Sequence, residues 1–346
     1  MGLNIREIIP RKEIEISDLK GKIICVDAFN ALYQFLSTIR QPDGTPLMDN
    51  KKRVTSHLSG IFYRNISLLG EGIKLVYVFD GKPPELKQKT SQNRGKIRDL
   101  AKEKYEEAEQ EEDLEKMKRY GSQLLRLSDE MIEESKELLE AMGIPVIQAP
   151  SEGEAEAAYL CRIKSEVYAS VSQDYDSLLF GTPRLVRNLN LSGRKKTYSG
   201  YIKINPEIID LQQVLNLLDI NLEQLICLGI LVGTDYNPKG IPGIGQKKAL
   251  EIVRKFKTPI RIFEEVKERI YSLPEENRFE WQEVFSLFNK PNVKNFDFEF
   301  KESNSEKIKE ILVEKHDFSE ERVQKQINHF AEMKEKNKQK DLEKWF

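Results

Sequence analysis

Four short stretches of the chain are almost continuously apolar: KIICVDA (22–28), KLVYVFD (74–80), IPVIQAP (144–150) and EVYASVS (166–172). Each is rich in Val, Ile or aromatic residues and is bounded by Gly, Pro or charge, the pattern of strands buried on both faces. Helical periodicity fills the gaps, as in HLSGIFYRNISLL and DEMIEESKELLEAM. Strand-helix alternation of this kind predicts an α/β fold with a parallel sheet covered on both sides.

Two regions depart from that rhythm. From Lys82 to about Asp129 the chain is helix-forming but poor in apolar residues, basic at first (Lys82, Lys87, Lys89, Arg94, Lys96, Arg98, Lys102) and acidic after. Composition alone suits a solvated helical hairpin, yet an insertion this long directly after a strand is usually functional or disordered. Beyond about residue 205 the pattern is helical: LEQLICLGILVGTDYNP reads as an apolar helix ending in a polar loop, and GIPGIGQKKALEIV as a second helix leaving a glycine-rich turn. The chain from about 331 is charged until it closes on QKDLEKWF, where exposed aromatics gain nothing unless something covers them.

Composition narrows the classes. The 346 residues are 39% hydrophobic and 32% charged, too apolar for wholesale disorder. No stretch approaches the roughly 20 apolar residues of a membrane span, so no membrane partner is expected and the simplest location is intracellular. The length suits about two domains, or one large α/β domain with an extension. Cys25, Cys161 and Cys227 lie apart among apolar neighbours and read as buried thiols, while His57, His316 and His329 form no ligand pair that would suggest zinc. A net charge of -2 gives no global pull on nucleic acid, leaving local patches to carry any such argument.

The chemistry lies at the ends of the strands. Asp27 closes the first and Asp80 the second; Glu152 and Glu154 come just after the third in PSEGEAE; Asp174 and Asp176 come just after the fourth in SQDYD. Parallel strands gather their carboxyl ends on one edge, where functional crevices form. Asp235, in GTDY at the end of the apolar helix, is placed to join them. Each acid also has a structural reading: Ser151 with Glu154 makes a capping box, and Asp27 and Asp174 could cap helices. Crowded carboxylates, however, raise one another's pKa unless cations neutralise them. Hard oxygen donors favour Mg²⁺ or Mn²⁺, and two such ions about 4 Å apart suit phosphodiester hydrolysis.

In GIPGIGQKKA, Gly240, Gly243 and Gly245 let backbone approach a phosphate, and Lys247 and Lys248 open the next helix. This is the pattern of a helix-hairpin-helix, which grips duplex backbone without reading sequence; the alternative is an ordinary helix-helix turn. Neither GxGxxG nor a Walker motif is present, which disfavours a dinucleotide or nucleoside-triphosphate enzyme.

VDAFNALYQFL, TSHLSGIFYR, YVFDGKPPELK, APSEGEAEAA, SQDYD, LVGTDYNPKGIPGIGQKKA and DFSEERV occur in an order that resembles the structure-specific 5′ nucleases, closest to flap endonuclease and to its archaeal type. The resemblance implies a PIN-like fold, a twisted, mainly parallel sheet between helical layers. Its divisions are a nuclease region (1–81 and 131–235), a helical arch (82–130), a helix-hairpin-helix and C-terminal helical region (236–330) and a flexible tail (331–346). It implies two-metal hydrolysis near the base of 5′ flaps, with associated 5′-3′ exonuclease activity, in DNA replication and repair. The metal-binding acids match Asp27, Asp80, Glu152, Glu154, Asp174, Asp176 and Asp235 one for one. Lys87 and Arg94 match basic catalytic residues of the arch, Tyr33 a residue that stacks on a nucleobase (its alternative is a core aromatic), and Gly2 an N-terminal glycine near the active site. The glycine-rich turn matches a duplex-gripping element that uses a monovalent cation. Gln173 stands where many relatives have an acid, which touches only the electrostatics around the DxD pair. Gln339, Leu342, Trp345 and Phe346 are similar to the motif by which replication enzymes dock on the sliding clamp (PCNA). The resemblance further implies a monomer, cytoplasmic in an archaeal-type cell. A related nuclease of bubbles or junctions, a non-catalytic scaffold on branched DNA and a ribonuclease of the smaller related fold are the alternatives.

Overall fold

A computed structural model of the chain describes residues 3–41, 44–87, 100, 103–108, 113–121, 126–191, 194–197 and 200–343, with side chains for all of these except 114, 117–119, 194–197, 200–203, 276 and 337–343. The four apolar stretches form β2 (Ile23–Asp27), β3 (Lys74–Phe79), β4 (Val146–Gln148) and β5 (Val167–Val171). They lie side by side, all parallel, in the order β5-β2-β3-β4. Three further strands extend the sheet beyond β5: β6 (Arg184–Arg187) parallel, then β9 (Glu207–Asp210) and β1 (Lys12–Glu13) antiparallel. A separate ribbon pairs β7 (Arg194–Thr197) with β8 (Gly200–Lys203). The sheet is thus mainly parallel, as expected, with an antiparallel edge.

Its two faces are covered unequally. One face packs Ile24, Val26, Tyr77 and Phe79 against helix Ala28–Thr38 and helix Asp129–Ala141; the buried Tyr77 hydroxyl donates to Asn65 at 2.9 Å. The other packs Cys25, Val76 and Val78 against helix Gly153–Ile163 and a row of Phe296, Phe298 and Phe300. Beyond the sheet, helices Leu222–Val232, Gln246–Phe256, Pro259–Tyr271 and Trp281–Asn289 share a second core. All three cysteines are buried and free. No single described helix is long and apolar enough to cross a membrane.

Within the arch region, described helix covers Leu114–Gly121. Arg40 donates to the carbonyl of Gly121 at 3.4 Å and so touches its base. The charged end of the chain, expected as a flexible tail from 331, carries helix as far as it is described. Helix Glu320–Glu343 runs through it, anchored by Ile327 and Phe330 on the core, by Met333 over Gly70 and by an ion pair from Lys334 to Glu302.

Candidate active site

The carboxyl ends of β2, β3, β4 and β5 deliver the predicted acids to one edge. Asp27 ends β2 and caps the following helix, accepting from the Asn30 amide at 3.1 Å. Asp80 follows β3 and accepts from the Gly153 amide at 2.7 Å. That approach requires glycine: a Cβ on residue 153 would stand 2.8 Å from the Val78 carbonyl and 2.9 Å from the Asp80 carboxylate. The capping box expected at Ser151 does not form. Helix Gly153–Ile163 starts from Glu152, the Ser151 hydroxyl turns to the Lys82 carbonyl at 3.2 Å, and both glutamates are left to the site. Glu154 accepts from the amide and hydroxyl of Ser177, at 3.1 and 2.5 Å. Asp174 caps no helix; its carboxylate accepts from Asn30 Nδ2 at 3.0 Å.

The seven acids act on one another. Burial, joined by Asp80 and Asp174, pushes Asp27 from 3.8 up to about 8 against a hydrogen bond from Asn30 and the charge of Lys87. Burial also raises Asp80, with Glu152 and Asp235 adding to it and Lys87 opposing. Glu154 and Asp176 lie well above the usual carboxylate range, each chiefly because it is buried and then because other members of the set repel its charge. Lys87 is the counter-charge. Burial alone would lower its pKa, but Glu152, Asp80 and Asp235 outweigh that and lift it, and its ammonium pairs with Glu152. Tyr236 donates its hydroxyl to the other oxygen of Glu152. Protons and one lysine therefore hold the crowded charge.

Among the described residues no three His, Cys, Asp or Glu side chains come close enough to enclose one ion. The acids share a field, but individually they are drawn to Lys87, Tyr236, Ser177, Asn30 and the Gly153 amide. The donor set still fits a hard divalent cation: it is all carboxylate oxygen, and Asp176 Oδ1 is buried with no hydrogen-bond partner.

The other predicted residues divide into those the structure places and those it does not describe. Tyr33, on helix Ala28–Thr38, is 40% exposed, which removes the core-aromatic reading. Gly2, Arg94, Trp345 and Phe346 lie outside the described residues, as do the side chains of Gln339 and Leu342. Around the glycine-rich turn, helix Leu222–Val232 leads through the loop carrying Asp235 into helix Gln246–Phe256. Gly240 has φ +54°, and a Cβ there would meet the Val232 carbonyl oxygen at 2.2 Å. Gly243 is also left-handed, whereas Gly245 caps the second helix in extended backbone. Lys247 and Lys248 stand exposed at that helix start, Lys247 lying 3.9 Å from Glu7. Sequence reasoning missed Asn30, Ser177 and Tyr236. Each lies within three residues of a predicted acid, the one signal that could have found them.

Known proteins match the chain along most of its length. The family model described as the XPG N-terminal domain matches residues 4–101, and the XPG I-region matches 143–235. A flap endonuclease 1 of Pyrococcus furiosus is 51% identical over all of this chain and 99% of its own length. The solved flap endonuclease-1 of Methanococcus jannaschii superposes with a TM-score of 0.75 at 39% identity, covering 96% of this chain and 98% of that one. The catalytic core of Rad2 in complex with DNA substrate, at 23% identity and TM-score 0.69 over 95% and 100% of the two chains, shares the fold. Fold and acidic edge together define a structure-specific nuclease of the XPG type. More narrowly, the chain belongs to the flap endonuclease family, and it is a structure-specific 5′ flap endonuclease.

Proposed function

We propose that the chain hydrolyses a phosphodiester bond near the base of a 5′ flap at the acidic edge of its sheet, and trims 5′ ends by the same chemistry. Asp27, Asp80, Glu152, Glu154, Asp174, Asp176 and Asp235 would hold two Mg²⁺ ions, with Mn²⁺ as a substitute. When bound, such ions generate a nucleophilic hydroxide and neutralise charge on the phosphate. The observation that carries this reading is the set of buried, mutually raised acids around Asp176, whose Oδ1 has no hydrogen-bond partner. Lys87, once released from Glu152, presents its ammonium to the scissile phosphate together with Arg94. Exposed Tyr33 offers a face for the nucleobase beside the cut, and Gly2 is assigned a role by the family resemblance alone. Duplex backbone is gripped at Gly240, Gly243, Gly245, Lys247 and Lys248, with a monovalent cation. End-labelled flap, nicked and single-stranded DNA should be cut with the flap preferred in Mg²⁺ and with no cleavage in EDTA. Turnover in EDTA would overturn the metal reading, and equal cutting of all three would overturn the flap preference.

The protein works as a monomer tethered to a sliding clamp through Gln339, Leu342, Trp345 and Phe346. Support comes from the motif itself, whose first residues continue helix Glu320–Glu343. Deleting 339–346 should abolish stimulation by the clamp while clamp-free cleavage stays within about twofold, since no site residue is removed. Clamp binding that survives the deletion would refute this assignment.

A further inference from the structure

The turn Ser172–Asp176 carries two of the seven acids and is held from both sides. On the side of β2, Asn30 accepts from the Gln173 amide at 3.0 Å and donates to Asp174. On the side of β6, Arg187 occupies the strand end beside the turn. Its Nε and Nη2 donate to the Gln173 carbonyl at 3.2 and 3.0 Å, and its Nη1 donates to the Tyr175 hydroxyl at 2.6 Å. The guanidinium also lies 4.2 Å from the centre of the Tyr175 ring. Behind it, Glu207 on the paired position of β9 takes Arg187 at 3.5 Å, with Arg6 and Arg11 at 3.8 and 3.7 Å. One planar cation thus fixes residues 173 and 175, which alternate with Asp174 and Asp176. Only a guanidinium can fork two N–H groups onto one carbonyl, bond a phenol and stack on its ring together.

We infer that Arg187 is a positioning residue for the reaction: by clamping Gln173 and Tyr175 it sets the angle at which Asp174 and Asp176 present their carboxylates to the divalent cations. This inference rests on the metal reading of the site above. Partners beyond a metal's direct ligands characteristically change affinity by about 10- to 100-fold, and Arg187→Lys should fall in that range. The lysine keeps the charge opposite Glu207 but cannot reproduce the fork. Mn²⁺ binding to the full-length, DNA-free protein, followed by electron paramagnetic resonance of the free ion, provides a readout apart from cleavage. Arg187→Lys and Arg187→Ala should bind Mn²⁺ at least tenfold more weakly, bind flap DNA in EDTA like the wild type, and regain cleavage at raised Mn²⁺. Glu207→Gln, which leaves the fork intact, should bind Mn²⁺ within about threefold of wild type. Arg187→Lys with wild-type Mn²⁺ affinity would overturn the inference even if its melting temperature falls. A wild type that takes up no Mn²⁺ would instead overturn the metal reading beneath it.

Discussion

Buried titratable side chains gather in two places, and the two are built on opposite principles. At the carboxyl edge of the sheet, seven acids confront, among the described residues, chiefly one ammonium, Lys87. Elsewhere, His57 and His316, both buried, flank Glu134: His316 Nε2 lies 3.0 Å and His57 Nε2 3.5 Å from its carboxylate. His316 Nδ1 also faces Asp49 at 3.4 Å, and Asp49 is paired with Arg53 at 2.7 Å. In this second cluster each anion has a basic neighbour. Glu134 is accordingly drawn down to about 2 by the two imidazoles despite the cost of burial. In the first cluster Asp27, Asp80, Glu154 and Asp176 go up. Basic neighbours beside an anion help to hold it ionised, whereas buried acids left to one another are costly to ionise and mark a candidate functional site.

The largest effect is expected on the unmatched side. Asp174→Ala should lower flap cleavage by several orders of magnitude while flap binding persists, because on the proposed reading it removes a cation ligand and leaves the proposed duplex grip at Lys247 and Lys248 untouched. Single-turnover cleavage and fluorescence anisotropy would separate the two. Binding that falls as far as cleavage would assign Asp174 a structural role and erase the contrast between the clusters.

A pH experiment on the metal-free protein sharpens the same contrast with a smaller effect. Asp27 keeps its proton to about 8 in the fold, while the unfolded chain releases it near 3.8. Its contribution to stability is therefore complete below about 3.8 and is lost as pH rises towards 8. In EDTA the melting temperature should fall between pH 6.5 and 8, Mg²⁺ should restore more of it at pH 8 than at 6.5, and Asp27→Asn should flatten the slope. A melting temperature indifferent to Mg²⁺ at pH 8 would leave the acidic edge without its cation.

How much of this could be read from the sequence depended on range. The four central strands were legible because burial on both faces leaves an unbroken apolar run, as in IICVD and LVYVF. β1, β6 and β9 were not: RLVR and EIID are four residues each, charged at both ends, and gain their place by pairing with each other. The acids announced themselves by their position after strands. Their partners did not, because Lys87 reaches Glu152 across 65 residues and Tyr236 reaches it across 84. The helix through 331–343 was hidden by its charge, since packing at Ile327, Phe330 and Met333 holds it rather than a long apolar stripe. His57 and His316 were set aside for want of a ligand pair, and it is the fold that brings them to one carboxylate.

That histidine cluster supplies the smallest and most local test. Burial holds His57 below its ordinary value of 6.5, with Glu134 pulling the other way, so the ring is neutral in the fold while the unfolded chain takes up a proton near 6.5. Its contribution is therefore intact above about 6.5 and is lost as pH falls, the reverse of the acidic edge. Glu134, lowered from 4.5, adds a second loss only further into acid, below about 4.5. Between pH 6.5 and 5 the protein should lose stability, and His57→Gln should begin about 1–3 kcal/mol less stable because Glu134 loses a buried partner. The variant should then lose less over the same interval, having no imidazole left to protonate at that position. Urea unfolding at pH 7, 6 and 5 for both proteins measures this directly. Parallel pH slopes for wild type and His57→Gln would show that the ring does not titrate on unfolding, and the matched cluster would then be mere packing rather than a charge-balanced counterpart of the nuclease edge.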